Sequence, residues 1–445
     1  MIAKSTRSTP LRMLLSIAVL SICGIAITAA PAYAAAGDLD TAFDSDGKVT
    51  TQVGSGNSIA NAIVYDGSKV IVAGRVGDTL TGDFGLARYN SDGSLDTSFG
   101  SSGIVITSFS TLSDVPRDIA LQSDGKIIVG GLANSEPAGD FLLARYTSSG
   151  SLDTTFGTSS GYTRTDISGV GDGIRGLVID GSDKIIAVGA AGPDSAIVRY
   201  TSGGSLDTTF ESDGIVLTSS GVGDHFLNVA FDNNGKYVVA GTVDGDFLVS
   251  RYNTNGTLDT GFDGDGRAIT GFATGESDLA MDIVVRGNGK IIAAGATGAV
   301  DIVGITTAKF ALAGYNDNGS LDTGFDSDGK VTTDITTTVG ASADGIRGAV
   351  LNSNSSLLVV AGYCAESHGL TSFLDPVIGD FCLARYDAGT GGLDTSFSGD
   401  GIVVTDFGGS GDGGRAIARR DSRVTVAGGA GGPLNLDFAL ARYEL

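Results

Sequence analysis

Two residue types recur at a spacing suited to chemistry. Asp and Arg stand three apart at Asp114 and Arg117, Asp172 and Arg175, Asp344 and Arg347, and Asp412 and Arg415. A guanidinium is permanently charged and forked, so it grips a carboxylate or phosphate through parallel hydrogen bonds. Four of them brought to one place would make an anion site. The competing reading is local, with each Asp neutralising its own Arg. At the matching places elsewhere stand Ala60, Leu227 and Met281. The two histidines, His225 and His368, add a metal or acid–base candidate, with Asp224, Cys364 and Glu366 near them in sequence. Two His so far apart also read simply as surface residues.

A third group is acidic. DSDG at 44–47 and 326–329 and DGDG at 263–266 place Asp44 with Asp46, Asp326 with Asp328, and Asp263 with Asp265. These strings resemble fragments of a calcium loop, but none continues to the terminal Glu such a loop needs. Asp-x-Asp-Gly is equally a good turn. Calcium is thus the one cofactor candidate, and otherwise no cofactor is expected. No G-x-S-x-G elbow with a His partner, no Walker loop and no H-E-x-x-H occurs.

What positions these residues is a repeat. Leu-Asp-Thr-x-Phe begins at Leu39, Leu95, Leu152, Leu206, Leu258, Leu321 and Leu393. A period of tens of residues means a solenoid or a propeller. Each unit holds four short β patterns, such as GIVITSF (103–109), RDIALQ (117–122), KIIVGG (126–131) and DFLLARYT (140–147). Asp/Asn-Gly and Ser-Gly turns punctuate them, which is the signature of hairpins. The acidic residues agree: 46 of the 51 are Asp, a turn former, and only five are Glu. Seven units of four strands predict an all-β, seven-bladed β-propeller of four-stranded antiparallel blades. A β-helix is the alternative.

The recurring xxDGKIIVAGxx…DFxLARYNxxGSLDTSFG resembles the delta-60 repeat family over residues 37–445. That resemblance implies a β-propeller of unknown function in a secreted bacterial protein, and it transfers no catalytic residue. By analogy with propellers carrying a DGKIYVAD-like hairpin, IALQ is the innermost strand A, KIIVGG is B, DFLLARY is C, and GIVITSF of the following unit is D. The chain ends just after a C strand and begins with a spare D strand, GKVTTQV at 47–53. The last blade should therefore be closed by the N-terminal strand, which removes an open edge. Six of the seven C strands carry Arg five residues after Asp, as at Asp83 and Arg88; the fifth has Lys309 and Gly314. Five residues span about 17 Å of strand, so the partner of each Arg must lie on a neighbouring strand or blade. The Asp of Leu-Asp-Thr-x-Phe is one such partner.

In this phase the D–A and B–C loops share a face, and the irregularities collect there. Blade six inserts CAESHGLTSFLDPVIG (364–379) and blade five ATGAVDIVGITTAK (296–309). Cys364 and Cys382 flank the first insertion at the ends of one hairpin, and we expect them to form a disulfide rather than remain buried thiols.

Residues 1–34 differ from the rest. Lys4, Arg7 and Arg12 precede an apolar run from Met13 to Ala29, then Pro31 and Ala32-Tyr33-Ala34. This reads as a secretory signal peptide, with a retained membrane anchor as the alternative. The expected protein is then one propeller domain over 35–445, secreted or at the cell surface, or periplasmic in a Gram-negative cell. Without the signal, 25 Lys and Arg face 51 Asp and Glu, a net charge of about −26. Such a surface disfavours nucleic acid and anionic membrane. No segment after the signal is apolar enough for a span. We expect a monomeric, non-catalytic module that binds a protein or glycan through the D–A/B–C face. The alternative is a secreted hydrolase or lyase with an Arg/Asp/His site at the central channel.

Overall fold

A computed structural model describes residues 34–133, 139–158, 160–169, 171–219, 225–273, 275–301, 304–335, 344–364, 379–409, 411–432 and 435–445. The segment expected to be a signal peptide lies outside them, save Ala34. Ala34–Leu445 form one unit. It contains seven four-stranded antiparallel sheets and no helix among the described residues. The inner strands are Ser58–Asp66, Val115–Leu121, Gly173–Ile179, His225–Phe231, Ser277–Val285, Gly345–Leu351 and Gly413–Arg420. Each lies against the inner strands of both neighbouring blades, and the seventh lies against the first. The architecture is a seven-bladed β-propeller, in the expected strand phase.

Closure is also as expected. Lys48–Thr51 pairs with Asn435–Glu444 as the outer strand of blade seven, with Val49 opposite Leu440. The preceding turn anchors this strand: Phe43 is fully buried against Val49, Phe438 and Leu440.

The repeated motif is scaffold, and its Arg marks how. Arg88 donates from Nε to Asp96 at 2.7 Å, Arg199 to Asp207 at 2.8 Å, and Arg442 to Asp40 at 2.7 Å. Arg145, Arg251 and Arg385 repeat the pairing with Asp153, Asp259 and Asp394. Each guanidinium also stacks on the Phe of the same Leu-Asp-Thr-x-Phe, as Arg88 does on Phe99 at 4.5 Å. Arg199 reaches across to the Thr254 carbonyl of the next blade at 2.7 Å. The Asp on the strand itself is not the ion-pair partner; Asp140, for one, takes Arg164 at 2.8 Å instead. In blade five the Arg is replaced by Gly314, and the Phe325 ring packs over the vacated space, so that a Cβ on Gly314 would stand 2.8 Å from the ring.

The Asp-x-Asp-Gly strings are turns that join blades. Asp44, Asp263 and Asp326 take left-handed backbone angles, with φ of 51°, 45° and 47°. Their amides donate to carbonyls of the next blade, at Asp92, Asn318 and Thr390 respectively. Asp46, Asp265 and Asp328 each accept the amide two residues on at 2.9 Å. Cys364 and Cys382 form a disulfide, as expected, across the second and third strands of blade six.

Candidate functional site at the inner strands

Every inner strand breaks its pairing register once, at the same level. In blade two the ladder steps from Pro116 opposite Gly131 to Asp118 opposite Gly130, skipping Arg117. The other breaks skip Asn61, Arg175, Leu227, Met281, Arg347 and Arg415. A bulged residue leaves the ladder and its side chain is re-aimed. Here all seven line one cavity of about 160 Å³ at the centre of the ring. The position equivalent to the Arg in blade one is Asn61, not Ala60. Ala60 stays in register opposite Gly74, as Pro116 does opposite Gly131.

The bulge depends on glycine. It presses an inner-strand carbonyl onto the second strand, where Gly74, Gly131, Gly189, Gly241, Gly295, Gly362 and Gly428 stand. A Cβ at any of them would collide with the carbonyl oxygen of Ile59, Val115, Gly173, His225, Leu279, Gly345 or Gly413 in turn. Those seven glycines at equal places in the repeat were the signal from which the bulge was readable.

The Asp of each Asp-x-x-Arg faces the loop before it. Asp114 is fully buried and accepts the Phe109 and Ser110 amides at 2.7 and 2.9 Å. Asp172 repeats this with Ile167 and Ser168 at 2.7 and 2.9 Å. Asp344 holds the Ile335 amide at 2.9 Å, and Asp412 the Phe407 amide at 2.9 Å. These carboxylates shape the D–A turns. The Arg side chains are half-buried and belong to the channel. Arg347 stacks on Tyr363 at 5.4 Å, and Arg415 donates to Asn61 Oδ1 at 3.3 Å.

Two carboxyls that sequence reasoning passed over follow the bulge. Asp118 accepts the amide of its own neighbour Ile119 and that of Leu177 in the next blade, both at 2.7 Å. Asp282 accepts Ile283 at 2.7 Å, Ala349 at 2.6 Å and the Asn228 amide group at 2.7 Å. Enclosure among the inner strands raises Asp118 to about 7, against the pull of the Leu177 and Ile119 amides. It raises Asp282 to about 7 as well, and the nearby Asp118 charge adds to the effect. Asn61 donates to the Pro116 carbonyl of the next blade at 2.9 Å, so Asn61, Asp118, Asn228 and Asp282 stitch one inner strand to the next.

The remaining candidates fall elsewhere. His225 opens the inner strand of blade four opposite Thr242, half-buried and outside the cavity lining. His368 lies outside the described residues, as do Asp224 and Glu366. Among the described residues, the group of three acidic side chains with oxygens all within 4.8 Å is Asp380, Asp406 and Asp412. It contains none of the six Asp in the calcium-like strings.

Fold and site together define a β-propeller with a mixed Arg, Asp and apolar central channel. Residues 68–99, 122–156, 181–210 and 233–262 match the model of a family described as a domain of unknown function (DUF5122) beta-propeller. The repeats are therefore similar to those of a propeller family whose function is unknown. No curated protein sequence matches the chain. Among solved structures, a catalytically inactive virginiamycin B lyase from Staphylococcus aureus with quinupristin is 10% identical, covering 89% of this chain and 99% of its own, with a TM-score of 0.48. The polysaccharide lyase Uly1 is 11% identical over 87% of this chain and 90% of its own, with a TM-score of 0.47. Sqt1 from Chaetomium thermophilum is 10% identical over 89% and 100%, with a TM-score of 0.46. No helix among the described residues is long and apolar enough to cross a membrane.

Proposed function

We propose that this chain is a secreted, delta-60-type propeller that acts as a monomeric binding module. It takes a protein or glycan ligand by an anionic group, a carboxylate or phosphate, at its central channel on the D–A/B–C side. The observation that carries this reading is the convergence of Arg117, Arg175, Arg347 and Arg415, from four separate blades, on one cavity. Forked guanidinium donors in a partly dehydrated channel hold an anion more firmly than the same groups on an open surface. The protein as a whole is strongly acidic, so a local cluster of four Arg stands out from its background. Calorimetric titration with acetate and inorganic phosphate tests the reading. Binding is expected for at least one of them, weakened by added salt and by Arg175→Gln or Arg347→Gln. If neither anion binds, or if binding is unchanged in both variants, the reading fails.

One observation favours the alternative of a hydrolase or lyase: Asp118 and Asp282, raised to about 7, share the cavity with the Arg groups. A carboxyl titrating near neutrality is suited to proton transfer. Against it, each oxygen of both groups already accepts a hydrogen bond. Incubation with uronate-containing polysaccharides, read by reducing ends and ultraviolet-absorbing products, separates the two readings.

A further inference from the structure

The channel is not uniform around its circumference. Going round the ring, the bulged residues of blades six, seven, one, two and three are Arg347, Arg415, Asn61, Arg117 and Arg175. Those of blades four and five are Leu227 and Met281. Five adjacent blades therefore present polar groups, and two adjacent blades present hydrocarbon and thioether. The apolar side is kept apolar by its neighbours. Asn228 and Asp282, the next residues on those two strands, bond to each other at 2.7 Å, and Asp282 bonds onward to the Ala349 amide at 2.6 Å. Asn228 and Asp282 line the cavity too, beside Leu227 and Met281, but their polar atoms are engaged with one another and with the backbone.

We infer that the ligand group held in the channel is a single six-membered ring bearing one carboxylate, charged on one side and apolar on the other. This rests on the anion-binding reading above and extends it. A carboxylate on the polar arc meets guanidinium donors from both directions, and the ring body then lies against Leu227 and Met281. The size agrees. The cavity of about 160 Å³ is close to the roughly 150 Å³ that suffices to enclose a benzene-sized body. A bare inorganic anion would leave the apolar wall uncovered. A ring without charge would forgo the charge-assisted bonds that the guanidinium donors can make. Such a ring acid could be free or could end a glycan as a uronate, and the two differ in how apolar the ring is.

Titration of the full mature chain with benzoate, acetate, glucuronate and benzyl alcohol, followed by calorimetry, tests the inference. Benzoate is expected to bind about tenfold tighter than acetate or more, the discrimination an apolar pocket gives for added hydrocarbon. Benzyl alcohol, which has the ring but no charge, is expected to bind more weakly than benzoate. Met281→Gln should bring the benzoate-to-acetate ratio toward one. Leu227→Asn should do the same, with a circular dichroism melt to confirm folding. Acetate and benzoate binding alike in the parent chain overturns the inference and leaves the anion-binding reading standing. Glucuronate binding tighter than benzoate makes the occupant a sugar ring and overturns the apolar-face assignment. If no anion binds at all, the reading on which the inference rests is the one that fails.

Discussion

Phe43 offers a quantitative test of the way the ring is closed. It lies in the N-terminal segment, yet it is fully buried and sits beneath the Arg442 guanidinium at 4.4 Å. Phe99 occupies the equivalent place inside the chain, also fully buried, beneath Arg88 at 4.5 Å. Truncating a buried Phe to Ala costs about 3–5 kcal/mol in lost transfer free energy and residual cavity. If the N-terminal strand is a full member of blade seven, Phe43→Ala and Phe99→Ala should cost the same within about 1 kcal/mol. A chain lacking residues 35–53 loses more. Phe43, Val49 and Val53 are all buried, and at about 1.5–3 kcal/mol each they contribute roughly 5–9 kcal/mol. That is comparable to the whole stability of an ordinary domain, about 5–15 kcal/mol. Arg442 would also lose the Asp40 carboxylate at 2.7 Å. Urea unfolding followed by circular dichroism and tyrosine fluorescence suits a chain without Trp. A cost below about 1 kcal/mol for Phe43→Ala, beside a full cost for Phe99→Ala, would refute the equivalence on which the closure argument stands.

Three further outcomes follow from the same geometry. Gly314→Ala puts a Cβ 2.8 Å from the Phe325 ring and should destabilise by about 1–3 kcal/mol through overpacking; a higher melting temperature would show that the ring yields freely. Stability should peak near pH 4 and decline toward pH 7, because two sets of carboxyls pull in opposite directions. Burial alone raises Asp153, but hydrogen bonds from Thr155 and the charges of Arg145 and Lys126 hold it at about 2; Asp96, Asp207 and Asp259 are lowered in the same way. Their contribution is present above the unfolded carboxyl value near 4 and is lost as pH falls through their depressed values. Asp118 and Asp282, raised to about 7, contribute fully below about 4 and lose that contribution as pH rises through 7. Scanning calorimetry showing a flat profile from pH 5 to 9 would contradict the raised pair. Non-reducing peptide mapping should recover Cys364 joined to Cys382, and Cys364→Ser should cost about 3 kcal/mol for releasing a loop of this length; two free thiols in the mapped protein would refute the link.

The fold was largely legible because each local signal was repeated. Leu-Asp-Thr-x-Phe counted the blades, the Asp-Gly turns set the strand phase, and the spare GKVTTQV pointed to closure by the N-terminal strand. The partner of the strand Arg was within reach for the same reason: the Asp of Leu-Asp-Thr-x-Phe recurs with every such Arg, and in blade five, where Gly314 replaces the Arg, Asp322 stays and holds Lys290 at 2.7 Å. The channel was less legible. Sequence spacing treated the inner strands as regular, and a regular strand puts Ala60 where Asn61 stands. In blade one the lining was taken as Ala60, one residue short of Asn61, which the bulge there skips. Asp118 and Asp282 each follow a bulged residue and return to the ladder, so the spacing of the strand alone gave no sign of them. The Asp of Asp-x-x-Arg looked like an ion-pair partner because both its charge and its spacing fit. Its buried oxygens also hold loop amides, which only three-dimensional proximity discloses.

The skipped residue of each inner strand has a consequence for how this scaffold can change. A ladder position answers to its cross-strand partner, so altering it disturbs the sheet. A bulged position is skipped by the ladder and has no register partner of its own. The side chains that meet at the axis can therefore vary with little disturbance to the sheet, Arg415 and Asn61 together because they are bonded, while the glycines opposite keep the backbone unchanged. The order Asn, Arg, Arg, Leu, Met, Arg, Arg reads as one setting of a seven-place dial. Propellers built on the same repeat can present a different chemistry at the centre by respelling seven letters out of some four hundred.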